Sequence, residues 1–205
     1  MIGKFITIEG TDGSGKTTFI NKAVNYLEQK GYKVIVTREP GGVELSEKIR
    51  TLLFENSMTA RTESLLFAAA RSEHVEKKIK PYIEEGYIVI SDRFVDSSIS
   101  YQAYGRGLKQ EDIVEINDYA TAGFKPDLTL YFSVDVEIGL ERTKTRDDNN
   151  RMDSEKLSFY YKVKEGFEQL ALENKDRIKV IDANKPYEQV EKDALNVLEE
   201  FLKLC

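Results

Sequence analysis

A chain of 205 residues, 40% hydrophobic and 32% charged, has room for one well-buried core and lacks the length for two ordinary domains with a linker. No apolar run approaches a membrane span, and the formal net charge of −6 argues against a general nucleic-acid-binding surface. A small phosphorylated ligand is compatible with that charge, because a few converging arginines and lysines suffice to hold it.

One histidine and one cysteine, Cys205, supply neither an internal disulfide nor a structural zinc cluster. Met1-Ile2-Gly3-Lys4 runs directly into the first strand, with no space for a signal peptide and with Ile2 standing where myristoylation needs glycine. The expectation is a single cytoplasmic domain over residues 1–205.

The first predicted strand, Phe5 to Ile8, leads into Gly10-Thr11-Asp12-Gly13-Ser14-Gly15-Lys16-Thr17, a full G-x-x-x-x-G-K-[ST] pattern, and then a helix from Lys16 to Lys30. Glycines let a backbone wrap closely around phosphates, with successive N–H groups and the helix N-terminus facing the anion. Lys16 then neutralises β- and γ-phosphates and the Thr17 hydroxyl binds Mg²⁺. A Gly-rich surface turn is the bland alternative, but the pattern sits at the required strand-to-helix junction.

Strand two, Lys33 to Thr37, ends in Arg38-Glu39-Pro40-Gly41-Gly42, and a helix from Glu44 to Phe54 carries Arg50. A long helical pattern from Arg61 to Glu85 places Phe67 and Arg71 four residues apart on one face, with Leu65, Leu66 and Ala69 offering an apolar face towards the core. That pair suits stacking on a base and bonding to its exocyclic oxygen; it equally suits a core phenylalanine beside a surface arginine.

Strand three, Tyr87 to Ser91, ends in Asp92-Arg93. Asp92 occupies the place of a carboxylate serving Mg²⁺ opposite a phosphate loop, or else caps the helix starting near Phe94. On that helix, from Phe94 to Tyr104, Ser97, Ser98, Tyr101 and Gln102 form two i,i+4 pairs that line a sugar and base pocket or a plain polar face. Arg38, Arg50, Arg71 and Arg93 together form a candidate clamp for a second phosphate.

A helix from Gln110 to Ala122, a strand from Leu128 to Phe132 and a helix from Val136 to Thr145 precede the polar stretch Arg146-Asp147-Asp148-Asn149-Asn150-Arg151, read as an exposed loop. Arg142, Lys144, Arg146 and Arg151 bracket it, as a solvated charge run or as a lid over about 142–153. The lid reading gains from Thr11, Asp12, Gly13 and Ser14: the phosphate loop has no arginine, so one must come from elsewhere to meet the γ-phosphate. A helix from Ser154 to Asn174, a strand from Ile178 to Ile181 and a helix from Tyr187 to Leu204 complete the chain. Five short apolar strands alternating with helices predict an α/β fold, a parallel sheet with helices on both faces.

Gly10 to Thr18, Thr37 to Gly42, Phe67 to Arg71, Asp92-Arg93-Phe94, Ser97-Ser98, Tyr101 to Gly107, Pro126 to Thr129 and Arg151-Met152-Asp153 together resemble bacterial thymidylate kinases. The resemblance runs in order from about residue 4 to 153. It implies a P-loop nucleoside monophosphate kinase fold, transfer of the ATP γ-phosphoryl group to dTMP with Mg²⁺, and a homodimer. It implies an ATP cradle from Gly10 through Thr18, with Asp12 meeting the acceptor's 3′-hydroxyl and Arg38 and Arg93 aligning the acceptor phosphate. Arg50 would border that phosphate, Phe67 stack on thymine, Arg71 donate to thymine O4, Ser97, Ser98 and Gln102 line the pocket, and Tyr101 crowd a ribose 2′-hydroxyl. Arg146 and Arg151 would be the lid arginines. Phe94 departs from the tyrosine or histidine of many relatives.

Two other functions compete. A kinase for another pyrimidine nucleotide differs only in base selection, whereas a guanine-specific switch needs Asn-Lys-x-Asp, and Asn184-Lys185-Pro186-Tyr187 ends in the wrong residue.

Overall fold

The computed structural model describes residues 3–144 and 155–203. Its centre is a five-stranded parallel sheet of β1 (Lys4–Glu9), β2 (Val34–Arg38), β3 (Ile88–Asp92), β4 (Leu128–Ser133) and β5 (Ile178–Asp182), in the order β2-β3-β1-β4-β5. The three inner strands, covered on both faces, read as nearly unbroken apolar runs. The edge strands are less covered, leaving Val36 and Val180 exposed.

On one face Ile6, Ile8, Ile90 and Leu130 pack under α1 (Lys16–Gln29) and the C-terminal helix (Tyr187–Lys203), through Phe19, Leu27, Ala194 and Leu198. On the other face lie α2 (Glu44–Glu55), α3 (Ala60–His74), α4 (Lys80–Glu84), α5 (Val95–Ser98), α6 (Gln110–Thr121), α7 (Val136–Thr143) and α8 (Leu157–Glu173), with the helix Tyr187–Lys203 as α9. Wider π-type turns at Val75–Ile79 and Ile99–Gly105 join α3 to α4 and extend α5, where the sequence predicts uninterrupted helices.

Helix α3 is rotated relative to the sequence-based expectation. Leu65 is 57% exposed and Ala69 is exposed, while Glu63, Ser64, Ala68, Ala70, Arg71 and His74 are buried. Its inner face mixes Glu63, Ser64, Arg71 and His74 with Ala68 and Ala70, and Leu66 and Phe67 pack partly buried against Ile49 and Leu53, so of the three residues expected towards the core only Leu66 is turned that way.

Register explains the convergence at the carboxyl edge of the sheet. Ile8 of β1 and Arg38 of β2 both lie opposite Asp92 of β3, so the phosphate-type loop, the Arg38 segment and the Asp92-Arg93 corner emerge side by side.

Candidate active site

The loop from Gly10 to Gly15 enters α1 through Gly15, at φ 92°, which only glycine adopts without strain. Lys16 folds over the loop and donates to the carbonyls of Gly10 (3.0 Å) and Thr11 (2.9 Å). Burial, then the neighbouring Arg93 guanidinium, pulls its ammonium down to about 8. Helix α7 is seated on the same loop: a Cβ on Gly13 would lie 2.0 Å from the Gly139 carbonyl, and one on Gly139 2.8 Å from the Asp12 carbonyl. Arg142 of α7 donates to the carbonyls of Gly13 (3.4 Å) and Ala183 (3.2 Å), joining the loop to the end of β5.

Two adjoining clefts open at this edge. The first is lined by Asp12, Gly13, Gly15, Lys16, Thr17, Arg38 and Asp92. The second is lined by Phe54, Phe67, Arg71, Ser97, Ser98, Tyr101 and Gln102, and the two share Asp12, Glu39, Arg50 and Arg93. Gly10, Thr11, Ser14 and Thr18 complete the loop and the first turn of α1 outside these walls, with Thr18 exposed. The sequence-predicted residues of both pockets are thus brought together, except Arg146 and Arg151, which lie outside the described residues along with most of the predicted lid.

Arg93 stands where the clefts meet. Its guanidinium donates to the Gly10 carbonyl (2.8 Å), Ser97 Oγ (3.1 Å) and Asp12 Oδ1 (2.8 Å) and lies over the Tyr101 ring. Its backbone is left-handed, at φ 72°, a conformation that costs about 1–2 kcal/mol for a non-glycine residue. Neighbouring bonds hold it there: Arg93 N–H to the Ile8 carbonyl (3.0 Å), Ser91 Oγ to the Arg93 carbonyl (2.8 Å) and Phe94 N–H to Glu9 Oε1 (2.7 Å).

Glu9 was invisible as a site residue from sequence, yet a carboxylate closing an otherwise apolar buried strand was a usable signal. Its Oε2 accepts from Ser97 Oγ (2.5 Å), and burial, then the nearby Asp96 charge, raises its pKa to about 7.

Arg71 is 2% exposed, so the surface-arginine alternative fails. It donates through Nε to Glu39 Oε2 (2.6 Å), through one terminal nitrogen to Ser98 Oγ (2.9 Å) and Asn117 Oδ1, and through the other to the Phe94 carbonyl (3.0 Å). Glu39 also meets His74 Nδ1 at 2.9 Å, and His74 Nε2 meets Thr37 Oγ1 at 2.6 Å. Arg50 donates to the Pro40 carbonyl (2.9 Å), while Arg38, half exposed, is paired with Glu47 (2.9 Å) beside the first cleft. Asn117 and Glu39 escaped sequence reasoning because their partners come from other elements.

The helix following β3 is flanked by Phe94, and no side chain caps it, which removes the capping explanation for Asp92. Asp92 Oδ1 is buried without a partner among the described residues, and the exposed Thr17 lines the same cleft. This donor set fits Mg²⁺, which takes one or two protein oxygens and completes its shell with water and substrate phosphates. Among the described residues, no cluster of three or more acidic, His or Cys side chains offers an all-protein metal cage, and no helix is long and apolar enough to cross a membrane.

The family model described as thymidylate kinase matches residues 8–194. This chain belongs to the thymidylate kinase family. A thymidylate kinase from Geobacillus sp. strain WCH70 is 50% identical over 195 residues, covering 93% of each chain. One from Bacillus cereus is 45% identical over 207 residues, covering 98% of this chain and 100% of its own. Among solved structures, the thymidylate kinase of Ehrlichia chaffeensis superposes with a TM-score of 0.78 at 38% identity, over 96% of this chain and 98% of that one. Thymidylate kinases use ATP with Mg²⁺, in keeping with the donor set at Thr17 and Asp92.

Proposed function

We propose that this thymidylate kinase family member transfers the γ-phosphoryl group of ATP to dTMP, giving dTDP and ADP. The observation that carries the reading is the junction of two clefts at Asp12 and Arg93, one cradle for a triphosphate and one pocket with the chemistry of a pyrimidine deoxynucleotide.

The acceptor is itself a phosphate with a second pKa of about 6, already dianionic at neutral pH, so no protein base is required. What the chain must do is align two anions and neutralise them. Lys16 and the loop N–H groups, with the first turn of α1 from Lys16 through Thr18, hold the donor phosphates. Arg38, Arg50 and Arg93 hold the acceptor phosphate, and Asp12 orients the sugar through its 3′-hydroxyl. Phe67 stacks on the base, Arg71 donates to O4, Ser97, Ser98 and Gln102 line the pocket wall, and Tyr101 fills the space of a 2′-hydroxyl. Asp92 and Thr17 would hold Mg²⁺, which supplies charge neutralisation at the phosphates when bound.

Arg146 and Arg151 complete the reading as lid cations for the γ-phosphate, since the loop carries no arginine. Replacing either is expected to lower kcat more than it raises KM for dTMP, and unchanged kcat in both variants rejects that role. The chain acts as one kinase domain in the cytoplasm, as a homodimer. Leu45, Leu52, Leu65 and Tyr119, on α2, α3 and α6, are exposed large apolar side chains on helices that pack in one layer, which supports pairing through that layer.

Steady-state ADP release with a panel of monophosphates tests the assignment. A clear preference for dTMP over dCMP and UMP is expected, and its absence refutes the base-pocket reading.

A further inference from the structure

Glu63, on α3, is 1% exposed and takes no part in either cleft wall. Gln102, which does, donates its Nε2 to Glu63 Oε1 at 3.1 Å. Arg106 approaches the same carboxylate with two N–H groups, Nε to Oε1 at 3.1 Å and a terminal nitrogen to Oε2 at 3.2 Å. A carboxylate so paired with a guanidinium is ionised and only accepts. The Gln102 amide therefore has one allowed orientation, nitrogen towards Glu63, since the reverse sets its carbonyl oxygen against a carboxylate inside the protein.

The consequence falls on the second cleft. Gln102 Oε1 takes no hydrogen bond from any described residue, and Arg71 spends four of its five N–H donors on Glu39, Ser98, Asn117 and Phe94. The wall thus offers a fixed acceptor together with one remaining donor. Thymine and uracil present the complement, a donor at N3 and an acceptor at O4. Cytosine presents the reverse, an acceptor at N3 and an amino donor at C4.

We propose that Glu63 is the positioning residue for pyrimidine selection: paired with Arg106, it locks the Gln102 amide with its carbonyl oxygen available to the N3–H of thymine and opposed to the bare N3 of cytosine. This rests on the reading of the second cleft as the dTMP pocket. Glu63 itself touches no substrate.

Glu63→Gln tests it, because an amide of the same shape can either accept from or donate to Gln102 and so permits both orientations. The ratio of kcat/KM for dTMP to that for dCMP is expected to fall about tenfold or more, the scale of one base-edge contact. dCMP turnover rises in absolute terms, and dUMP follows dTMP. An unchanged ratio, or equal losses for dTMP and dCMP, overturns the proposal, since a merely structural Glu63 lowers both alike. If Glu63→Gln does not fold, Gln102→Leu removes the oriented amide directly, with the same fall in ratio expected and an unchanged ratio again decisive against it. Failure of the functional reading is separately visible, as a wild-type enzyme that does not prefer dTMP.

Discussion

Lys16 and Glu9 both lie near Arg93, and each has a consequence testable by itself. Lys16 is buried against two loop carbonyls with its ammonium drawn down to about 8, first by burial and then by Arg93. Lys16→Ala removes the cation proposed to hold the donor phosphates. A fall in turnover of about 10²-fold or more is expected, with circular dichroism and melting temperature near those of the parent, and near-normal turnover contradicts the role. Glu9 bears on stability instead. Its carboxyl keeps a proton up to about 7 in the folded chain but releases it near 4.5 when unfolded. Between those values the native state binds more protons, so this group's contribution favours folding at the acid end and is lost as pH rises through about 7. Glu9→Gln should flatten that part of the profile and melt higher than the parent at pH 8. Parallel profiles from pH 5 to 8 would show that Glu9 does not titrate there.

At the scale of elements, the seating of α7 on the phosphate loop depends on two glycines in backbone contact. A Cβ at Gly139 reaches 2.8 Å from the Asp12 carbonyl and 3.3 Å from Val134 Cγ1, so the helix or the loop must move. Gly139→Ala is expected to cost about 1–3 kcal/mol and to raise KM for ATP, measured by thermal melting and initial rates. Unaltered KM would mean that the loop tolerates the shift. Both glycines were visible in the sequence, but their meeting was not, because Gly13 and Gly139 come together only when β4 pairs alongside β1. The same limit applies to α3: its period placed Phe67 and Arg71 correctly on one face but could not say that this face looks into a polar cleft.

Across the whole molecule, α2, α3 and α6 form a layer whose outer surface carries Leu45, Leu52, Leu65 and Tyr119, the last 92% exposed. Leu65→Asp with Tyr119→Asp should convert the proposed dimer to a monomer in sedimentation velocity without loss of helix content. A dimer that survives both changes places the interface elsewhere. The electrostatic plan is equally a property of the whole. A chain of net charge −6 gathers Lys16, Arg38, Arg50 and Arg93 at one sheet edge, with acidic partners such as Asp12, Glu39 and Glu47 holding several of these and neighbouring cations in place.

The five strands and the glycine-rich loop at the end of the first are legible in the amino-acid order, because apolar runs and glycine spacing are local and survive without knowledge of partners, and most residues of both clefts lie in short motifs that follow those strands. Folding alone settles that Arg71 is buried, that Glu9, Glu39 and Glu63 hold Ser97, Arg71 and Gln102 in place, and that α3 turns Leu65 and Ala69 outward. Those facts depend on which distant groups meet inside the protein, where an unpaired charge is costly and each carboxylate must find its donors.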